Sequence, residues 1–257
     1  MEQCFELTSG ELVIPCKLTE SDYGVRRVIL GVHGLGGGTK DSIQEALAEE
    51  MELFDYATFR FDFPAHGESP LDSSYFTLSN CSQVLMTVAR EAKRRYPDVE
   101  DLCIFATGFG AYVTLVTMPQ LLALPGKVKL VVQTPSVLMH ETLLTMKRTT
   151  EQALKEAGSI TFQAQRPFDV SYEMYQEMAE NIVLDSHPIP MLILHSDEDK
   201  YIPMDHVQQL RRVNEKSKLV IIQGVGHRFE EEGAWDMVLD LTRDWFETEQ
   251  VLLCDWS

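Results

Sequence analysis

Short apolar runs alternate with amphipathic stretches from about residue 26 onward, and this alternation constrains the fold more than any other feature of the chain. Several of the runs are almost continuously hydrophobic, as in LCIFA, MLIL and LVII. Strands of a parallel sheet need that composition because helices cover both of their faces. The predicted strands are 28–33, 57–63, 102–106, 128–133, 191–195 and 219–222.

The stretches between these runs predict helices that pack on the sheet. The two clearest apolar stripes are Ile43, Leu47, Met51 and Phe54, and Cys81, Leu85, Val88 and Ala92. Before residue 20, two β-like runs flank Ser9-Gly10, a pattern that predicts an antiparallel hairpin at the sheet edge. The whole pattern predicts an α/β fold, a doubly wound and mostly parallel sheet with right-handed crossovers.

Between the fourth and fifth predicted strands the chain is far longer than a crossover needs. It contains a helix-like run at 141–157, a β-like SITF and a second helix-like run at 171–181. An insertion of this length is usually functional and is often a lid. We therefore predict a core of residues 1–137 and 186–257 with a lid at 138–185. Its aromatic side chains could line a ligand pocket or form the lid's own core: Phe162, Phe168, Tyr172 and Tyr175.

Composition excludes several classes of partner. The net charge is −18 over 257 residues without a Lys/Arg block, which argues against nucleic acid and anionic membrane surfaces. No apolar run reaches the roughly 20 residues of a membrane span, and the start MEQCFELTSGE has no signal-peptide pattern. We expect a cytoplasmic protein with reduced cysteines that form no C-x-x-C pair: Cys4, Cys16, Cys81, Cys103 and Cys254.

Candidate functional residues follow the predicted strands, at the sheet edge where doubly wound folds bind ligands. HGLGGGTKD follows the first strand, and its three successive glycines could form a phosphate cradle or an oxyanion hole. It has no P-loop Gly-Lys-Ser/Thr, and Thr39 replaces the last glycine of a dinucleotide fingerprint. PAHGES, SDEDKYIP and QGVGHRF follow three other strands. No group of side chains has metal-ligand spacing, so we expect no metal and no cofactor.

HGLGGG, FDFPAHGES, ILHSDEDKYIP and GVGHRF together resemble the landmarks of the α/β-hydrolase superfamily, nearest its cinnamoyl/feruloyl esterase and serine-aminopeptidase-like branch. The resemblance implies an α/β-hydrolase fold with an eight-stranded sheet, an inserted helical lid and a small acyl or aryl ester as ligand. It implies that Asp199 is the acid and His227 the base, in the family's order along the chain. It also implies an oxyanion hole formed by the backbone N–H groups of Leu35 and Phe109.

The nucleophile elbow departs from this family. Its small-x-Ser-x-small pattern reads ATGFG at 106–110, so Gly108 stands where the family has serine. Taking Thr107 as the nucleophile instead would put Phe105 and Phe109 at the flanks, where the tight turn has no room. Glycine adopts the strained elbow conformation freely, so the substitution keeps the turn and removes one hydroxyl group. Without that hydroxyl no acyl-enzyme forms.

Three interpretations of Gly108 stay open from the sequence. The protein is an impaired or non-catalytic relative of carboxylesterases that keeps its ligand pocket, and this interpretation is the one we favour. Alternatively it is an active hydrolase or lyase in which the Asp199–His227 pair activates water. A third possibility is an ordinary serine esterase that carries an introduced Ser→Gly change. The remaining notable side chains are expected to be structural: His33, His66, Cys103 and His195.

Overall fold

Strands and helices alternate along the chain in a computed structural model that describes residues 2–250. The strands are β1 (Glu2–Ser9), β2 (Leu12–Glu20), β3 (Arg27–Val32), β4 (Tyr56–Phe61), β5 (Asp101–Thr107), β6 (Lys127–Gln133), β7 (Ser159–Phe162), β8 (Phe168–Ser171), β9 (Met191–Ser196) and β10 (Lys218–Ile222). The α-helices are α1 (Ser42–Glu52), α2 (Leu78–Arg95), α3 (Gly108–Leu121), α4 (Met139–Lys147), α5 (Glu151–Ala157), α6 (Tyr172–Glu180), α7 (Met204–Val213) and α8 (Ala234–Thr248).

Eight strands form one sheet in the order β1-β2-β4-β3-β5-β6-β9-β10. The last six of these are parallel to one another, whereas β2 is antiparallel to both of its neighbours. The predicted mostly parallel, eight-stranded sheet is therefore confirmed. The predicted edge hairpin is confirmed as β1 and β2, with Gly10 at φ +62° in the turn between them.

Both faces of the central strands β3, β4, β5 and β9 are buried, which explains their continuously apolar sequences. Along β5, Leu102, Ile104 and Ala106 belong to one hydrophobic cluster and Cys103 and Phe105 to the other. Helices α2 and α3 cover the first face, and α1 and α8 cover the second. The apolar stripe predicted for α1 is buried only in part, because the helix ends at Glu52 and Phe54 is exposed.

The segment between β6 and β9 differs from the prediction in two places. The expected single helix at 141–157 is wrong, because Arg148 adopts a left-handed conformation (φ 49°, ψ 48°) and ends α4. Thr150 then begins α5, and its hydroxyl accepts a hydrogen bond from the backbone N–H of Ala153 at 3.2 Å. The sequence also gave no indication of β8, which pairs with the expected SITF strand β7 as a second, two-stranded sheet. We call residues 138–185 the cap segment, and its limits as a domain remain a prediction.

The cysteines that the structure describes are free thiols. Cys4 is exposed, whereas Cys16, Cys81 and Cys103 are buried, and Cys254 lies outside the described residues. Burial raises the pKa of Cys16 to about 12 and also raises the pKa of the other two buried thiols, so all three stay protonated at neutral pH. Among residues 2–250, no helix is long and apolar enough to cross a membrane.

Candidate active site

Strand β5 runs directly into helix α3, and the sharp turn falls at Gly108. The φ of Gly108 is +48°, whereas Thr107 has the ordinary strand values φ −114° and ψ 138°. A Cβ atom built on Gly108 meets no heavy atom within 4 Å apart from its chain neighbours and the backbone of its own helix. A Cβ on Gly110 would lie 2.4 Å from the carbonyl oxygen of His33 and 2.5 Å from that of Val32. The elbow therefore has open space at position 108 and requires glycine at position 110.

The predicted acid and base are in direct contact. Asp199 lies in the loop after β9 and His227 in the loop after β10, and the Nδ1 atom of His227 is 2.8 Å from Oδ2 of Asp199. The side chain of Asp199 is 1% exposed, while that of His227 is 22% exposed. His227 lines the same cavity as Gly108. The carboxylate is thus buried behind an imidazole ring that faces the cavity.

The second carboxylate oxygen of Asp199 is held by its own loop. Its Oδ1 atom accepts hydrogen bonds from the backbone N–H groups of Tyr201 at 2.8 Å and Ile202 at 3.0 Å. Burial acts to raise the pKa of Asp199, but the contact with His227 and these N–H groups outweigh it and hold the pKa below its usual value. Asp199 is therefore a fixed anion that orients His227 through a charge-assisted hydrogen bond.

The two expected oxyanion donors border the same cavity. Leu35 belongs to the loop after β3, and Phe109 is the second residue of α3. Within residues 2–250, neither backbone N–H donates a hydrogen bond to a protein acceptor. The first N–H groups of a helix lack intrahelical partners and carry its partial positive charge. Both groups are thus available to a carbonyl oxygen or an anion in the cavity.

A buried carboxylate that the sequence reasoning missed joins the two loops beside these donors. Oδ1 of Asp62 accepts from the backbone N–H of Thr39 at 2.6 Å, and Oδ2 accepts from that of Glu68 at 2.9 Å. Cβ atoms on Gly38 and Gly67 would lie 2.8 Å and 2.3 Å from Oδ1 of Asp62, so glycine is needed at both places. Burial raises the pKa of Asp62 while the N–H bonds oppose that rise. The sequence signal that could have indicated Asp62 was an acidic residue between two phenylalanines, in FDF.

His33 and His66 connect these loops, as the sequence predicted. Nδ1 of His33 donates to the carbonyl oxygen of Gly34 at 2.8 Å, and Nε2 accepts from the N–H of Phe63 at 3.1 Å. Nδ1 of His66 donates to the carbonyl oxygen of Pro64 at 2.9 Å. Burial lowers the pKa of His33 to about 4 and that of His66 to about 3. Both rings are therefore neutral structural groups at physiological pH.

His195 and Cys103 are also buried, as expected for structural residues. His195 lies behind Asp199, with its Nδ1 atom 4.0 Å from Oδ2 of that residue, too far for a hydrogen bond. Cys103 is in the middle of β5 and does not reach the cavity. Neither side chain replaces the missing hydroxyl at Gly108.

A cavity of about 600 Å³ lies over the elbow, between the core loops and the cap segment. The cap segment contributes these lining residues: Met139, Thr142, Met146, Gln163, Ala164, Gln165 and Arg166. The four aromatic side chains of the cap do not line the cavity, because Phe162, Phe168 and Tyr175 are buried in the hydrophobic core and Tyr172 packs against it. Gln133, at the end of β6, also lines the cavity and was not singled out from the sequence. The only sequence signal for Gln133 was that a polar residue ends an apolar run.

Comparison with known proteins gives matches in structure only. No protein-family model matches the chain, and no curated protein sequence matches it. Mouse alpha/beta hydrolase domain-containing protein 10 superposes with a TM-score of 0.76 at 15% identity, over 96% of this chain and 100% of that one. Est1E from Butyrivibrio proteoclasticus with bound ferulic acid gives 0.78 at 16% identity, over 95% and 98%.

A soluble variant of monoglyceride lipase from Saccharomyces cerevisiae, in complex with a substrate analog, superposes with a TM-score of 0.74 at 14% identity. That match covers 97% of this chain and 96% of the lipase chain. The identities are too low to transfer an activity, but the similarity extends over nearly the whole chain. With the sheet order and the elbow after β5, it establishes that this chain has the α/β-hydrolase fold.

Proposed function

We propose that this protein binds a small acyl or aryl ester-like ligand over Gly108 and does not turn it over by a serine-type mechanism. The proposal rests on one observation, that the same cavity has an intact acid–base pair and lacks a nucleophile at the elbow. The Asp199–His227 contact is 2.8 Å long, whereas the elbow position opposite this pair has no side chain. The ferulic acid in Est1E and the substrate analog in the yeast lipase support a ligand of the carboxylic ester class.

The chain offers no replacement nucleophile at the elbow. Thr107 ends a regular strand, and the hydroxyl that a serine would supply is absent at Gly108. Loss of the nucleophile from a comparable triad lowers the rate by about 10⁴–10⁶-fold, while the oxyanion donors and the binding contacts remain. Leu35 and Phe109 would still hold the carbonyl oxygen of an ester. The expected result is binding without an acyl-enzyme.

One feature favours a second candidate function, hydrolysis by activated water. When the neutral ring of His227 donates a hydrogen bond from Nδ1–H to Asp199, its Nε2 atom carries no proton. Apart from its chain neighbours and its own helix backbone, no heavy atom lies within 4 Å of the Cβ position of Gly108, and this space is large enough for a solvent molecule near the elbow. His227 would then act as a general base on that water, without a covalent intermediate.

Restoring the hydroxyl tests the proposal directly. The Gly108→Ser variant should react with a fluorophosphonate probe and should hydrolyse p-nitrophenyl acetate at least about 100-fold faster than the parent chain. Gly108→Ala is the matched control, because it adds the same Cβ atom without the hydroxyl and should do neither. His227→Ala in the Gly108→Ser background should remove both the labelling and the turnover.

The parent chain distinguishes the two candidate functions. Turnover of methyl ferulate or p-nitrophenyl acetate by the parent, abolished in His227→Ala, would favour water activation. A parent chain that binds these esters without turnover would favour the binding function. If the folded Gly108→Ser variant shows neither labelling nor turnover, the proposed site is wrong.

A further inference from the structure

Arg166 is a cation on the cavity wall that has no carboxylate partner within 4.0 Å among residues 2–250. It lies in the turn between β7 and β8, and its guanidinium donates to the carbonyl oxygens of Ser69 and, at 2.9 Å, Leu71. The charge of Arg166 contributes to lowering the pKa of Asp72, but Oδ1 of Asp72 is already bound by Ser74 at 2.8 Å. The guanidinium of Arg166 is therefore hydrogen-bonded to backbone carbonyls, and it interacts with Asp72 only through space.

The other two Lys and Arg side chains that line the cavity are each paired with an acid. Nζ of Lys40 is 2.6 Å from Oε1 of Glu68, and Nη1 of Arg228 is 3.7 Å from Oε1 of Glu230. Arg166, by contrast, is half-buried and has no acidic partner of this kind. Of the three lining cations, Arg166 is thus the one whose charge is not already shared with a carboxylate within 4.0 Å.

The position of Arg166 relates it to the expected carbonyl site. The turn that carries it packs on the loop after β3 that contains Leu35, since a Cβ atom on Gly36 would lie 3.2 Å from Cβ of Ala164. Ala164 and Arg166 both line the cavity, as does Leu35. Three acids line it too, Asp41, Glu68 and Glu230, and Lys40 and Arg228 are paired with the two glutamates. The lining positive charge least compensated by a neighbouring carboxylate thus lies on the β7–β8 turn.

We propose that Arg166 binds a carboxylate on the acyl part of the ligand, so that the ligand is a monoester of a short dicarboxylic acid. This inference rests on the proposed ester-binding function and names its ligand class. A guanidinium presents a planar set of N–H donors that matches a carboxylate, and Arg166 uses only part of that set on Ser69 and Leu71. Because those carbonyls already fix the side chain, ordering it for a ligand costs little further entropy.

Two esters of similar length test the inference on the parent chain. Monomethyl succinate carries the carboxylate, and methyl butyrate has a methyl group in its place. Isothermal titration should show monomethyl succinate binding about 10- to 100-fold more tightly, the range expected for hydrogen bonds to a charged group. Arg166→Gln should remove this preference, and Arg166→Lys should keep only part of it. Arg211→Gln, which removes a half-buried arginine that also donates to a backbone carbonyl but does not line the cavity, is the matched control and should keep the preference.

The outcomes separate a ligand contact from a structural one. If Arg166 only holds the cap segment in place, Arg166→Gln weakens the binding of both esters equally and lowers the melting temperature, which overturns the inference. Equal affinity of the parent for the two esters, or no binding of monomethyl succinate, also overturns it. Fluorophosphonate labelling of Gly108→Ser does not require Arg166, so a failure here leaves the proposed function with an independent test.

Discussion

At the scale of single residues, the two glycines of the elbow differ in whether a side chain could replace their hydrogen. Gly108 has a left-handed φ of +48° and free space around its Cβ position, so a side chain there meets only backbone strain. Gly110 has backbone oxygens 2.4 Å and 2.5 Å from its Cβ position, and those oxygens belong to the end of β3 and the residue after it. Strain at the first glycine is modest, whereas the second allows no side chain without moving a central strand.

We predict that Gly108→Ala lowers the free energy of unfolding by about 1–2 kcal/mol, the cost of a left-handed non-glycine residue. Gly110→Ala should cost about 3 kcal/mol or more, because a backbone clash relaxes poorly in a close-packed core. Urea unfolding of both variants beside the parent chain measures the difference. Equal losses in the two variants would contradict this account of the elbow.

The sequence predicted some residues of the candidate site and not others, for physical reasons. Asp199 and His227 were predictable because each follows a strand in a recognisable loop, and parallel strands bring those loops to one edge of the sheet. Gln133 and Arg166 were not predictable, because which side chains line a cavity depends on how the cap segment folds over the core. The role of Asp62 depends on two backbone N–H groups, which leave no pattern in the sequence.

At the scale of elements, the cap segment is where the sequence-based prediction was least accurate. The helical pattern across 141–157 continues through the break, and Thr150 has Ala153 rather than Glu three residues later, so no capping box marks the new helix. The strand β8 is four residues long, too short for periodicity to indicate it. In the core, by contrast, the predicted bounds of the long buried strands lie within two residues of the observed bounds.

The break between α4 and α5 yields a prediction at this scale. Arg148 pays a conformational cost at φ 49°, which glycine at the same position avoids. We predict that Arg148→Gly raises the free energy of unfolding by about 0.5–1 kcal/mol, and that Arg148→Ala does not raise it. Thermal and urea unfolding of the two variants test this. A loss of stability in Arg148→Gly would mean that the arginine side chain makes a contribution larger than the backbone term.

At the scale of the whole molecule, two buried histidines make the folded state sensitive to acid. The pKa values of His33 and His66 are lowered by burial to about 4 and about 3, whereas an unfolded histidine has a pKa of about 6.5. Below about pH 6.5 the unfolded chain binds protons that the folded chain does not, so stability falls as the pH falls toward the folded-state values. The stabilising contribution is fully present above about pH 6.5.

We predict that His66→Phe reduces this pH dependence. The variant should lose stability at neutral pH, because the carbonyl oxygen of Pro64 loses its donor, but its free energy of unfolding should fall less steeply between about pH 6.5 and about pH 5. The difference in slope should approach about 1.4 kcal/mol per pH unit, the value for one proton. Urea unfolding at several pH values measures it. Parallel curves for parent and variant would show that His66 does not titrate differently in the two states.

The carboxylate of Asp62 also limits how a ligand reaches the cavity. It accepts hydrogen bonds from the backbone N–H groups of Thr39 and Glu68 at the same time. The loop after β3, which carries Thr39, and the loop after β4, which carries Glu68, are therefore expected to move together. Neither loop can swing aside alone without leaving a buried charge unpartnered. Any movement that widens the cavity for a bulky ligand is therefore expected in the cap segment or in the loop that carries His227, and not in the two loops that Asp62 joins.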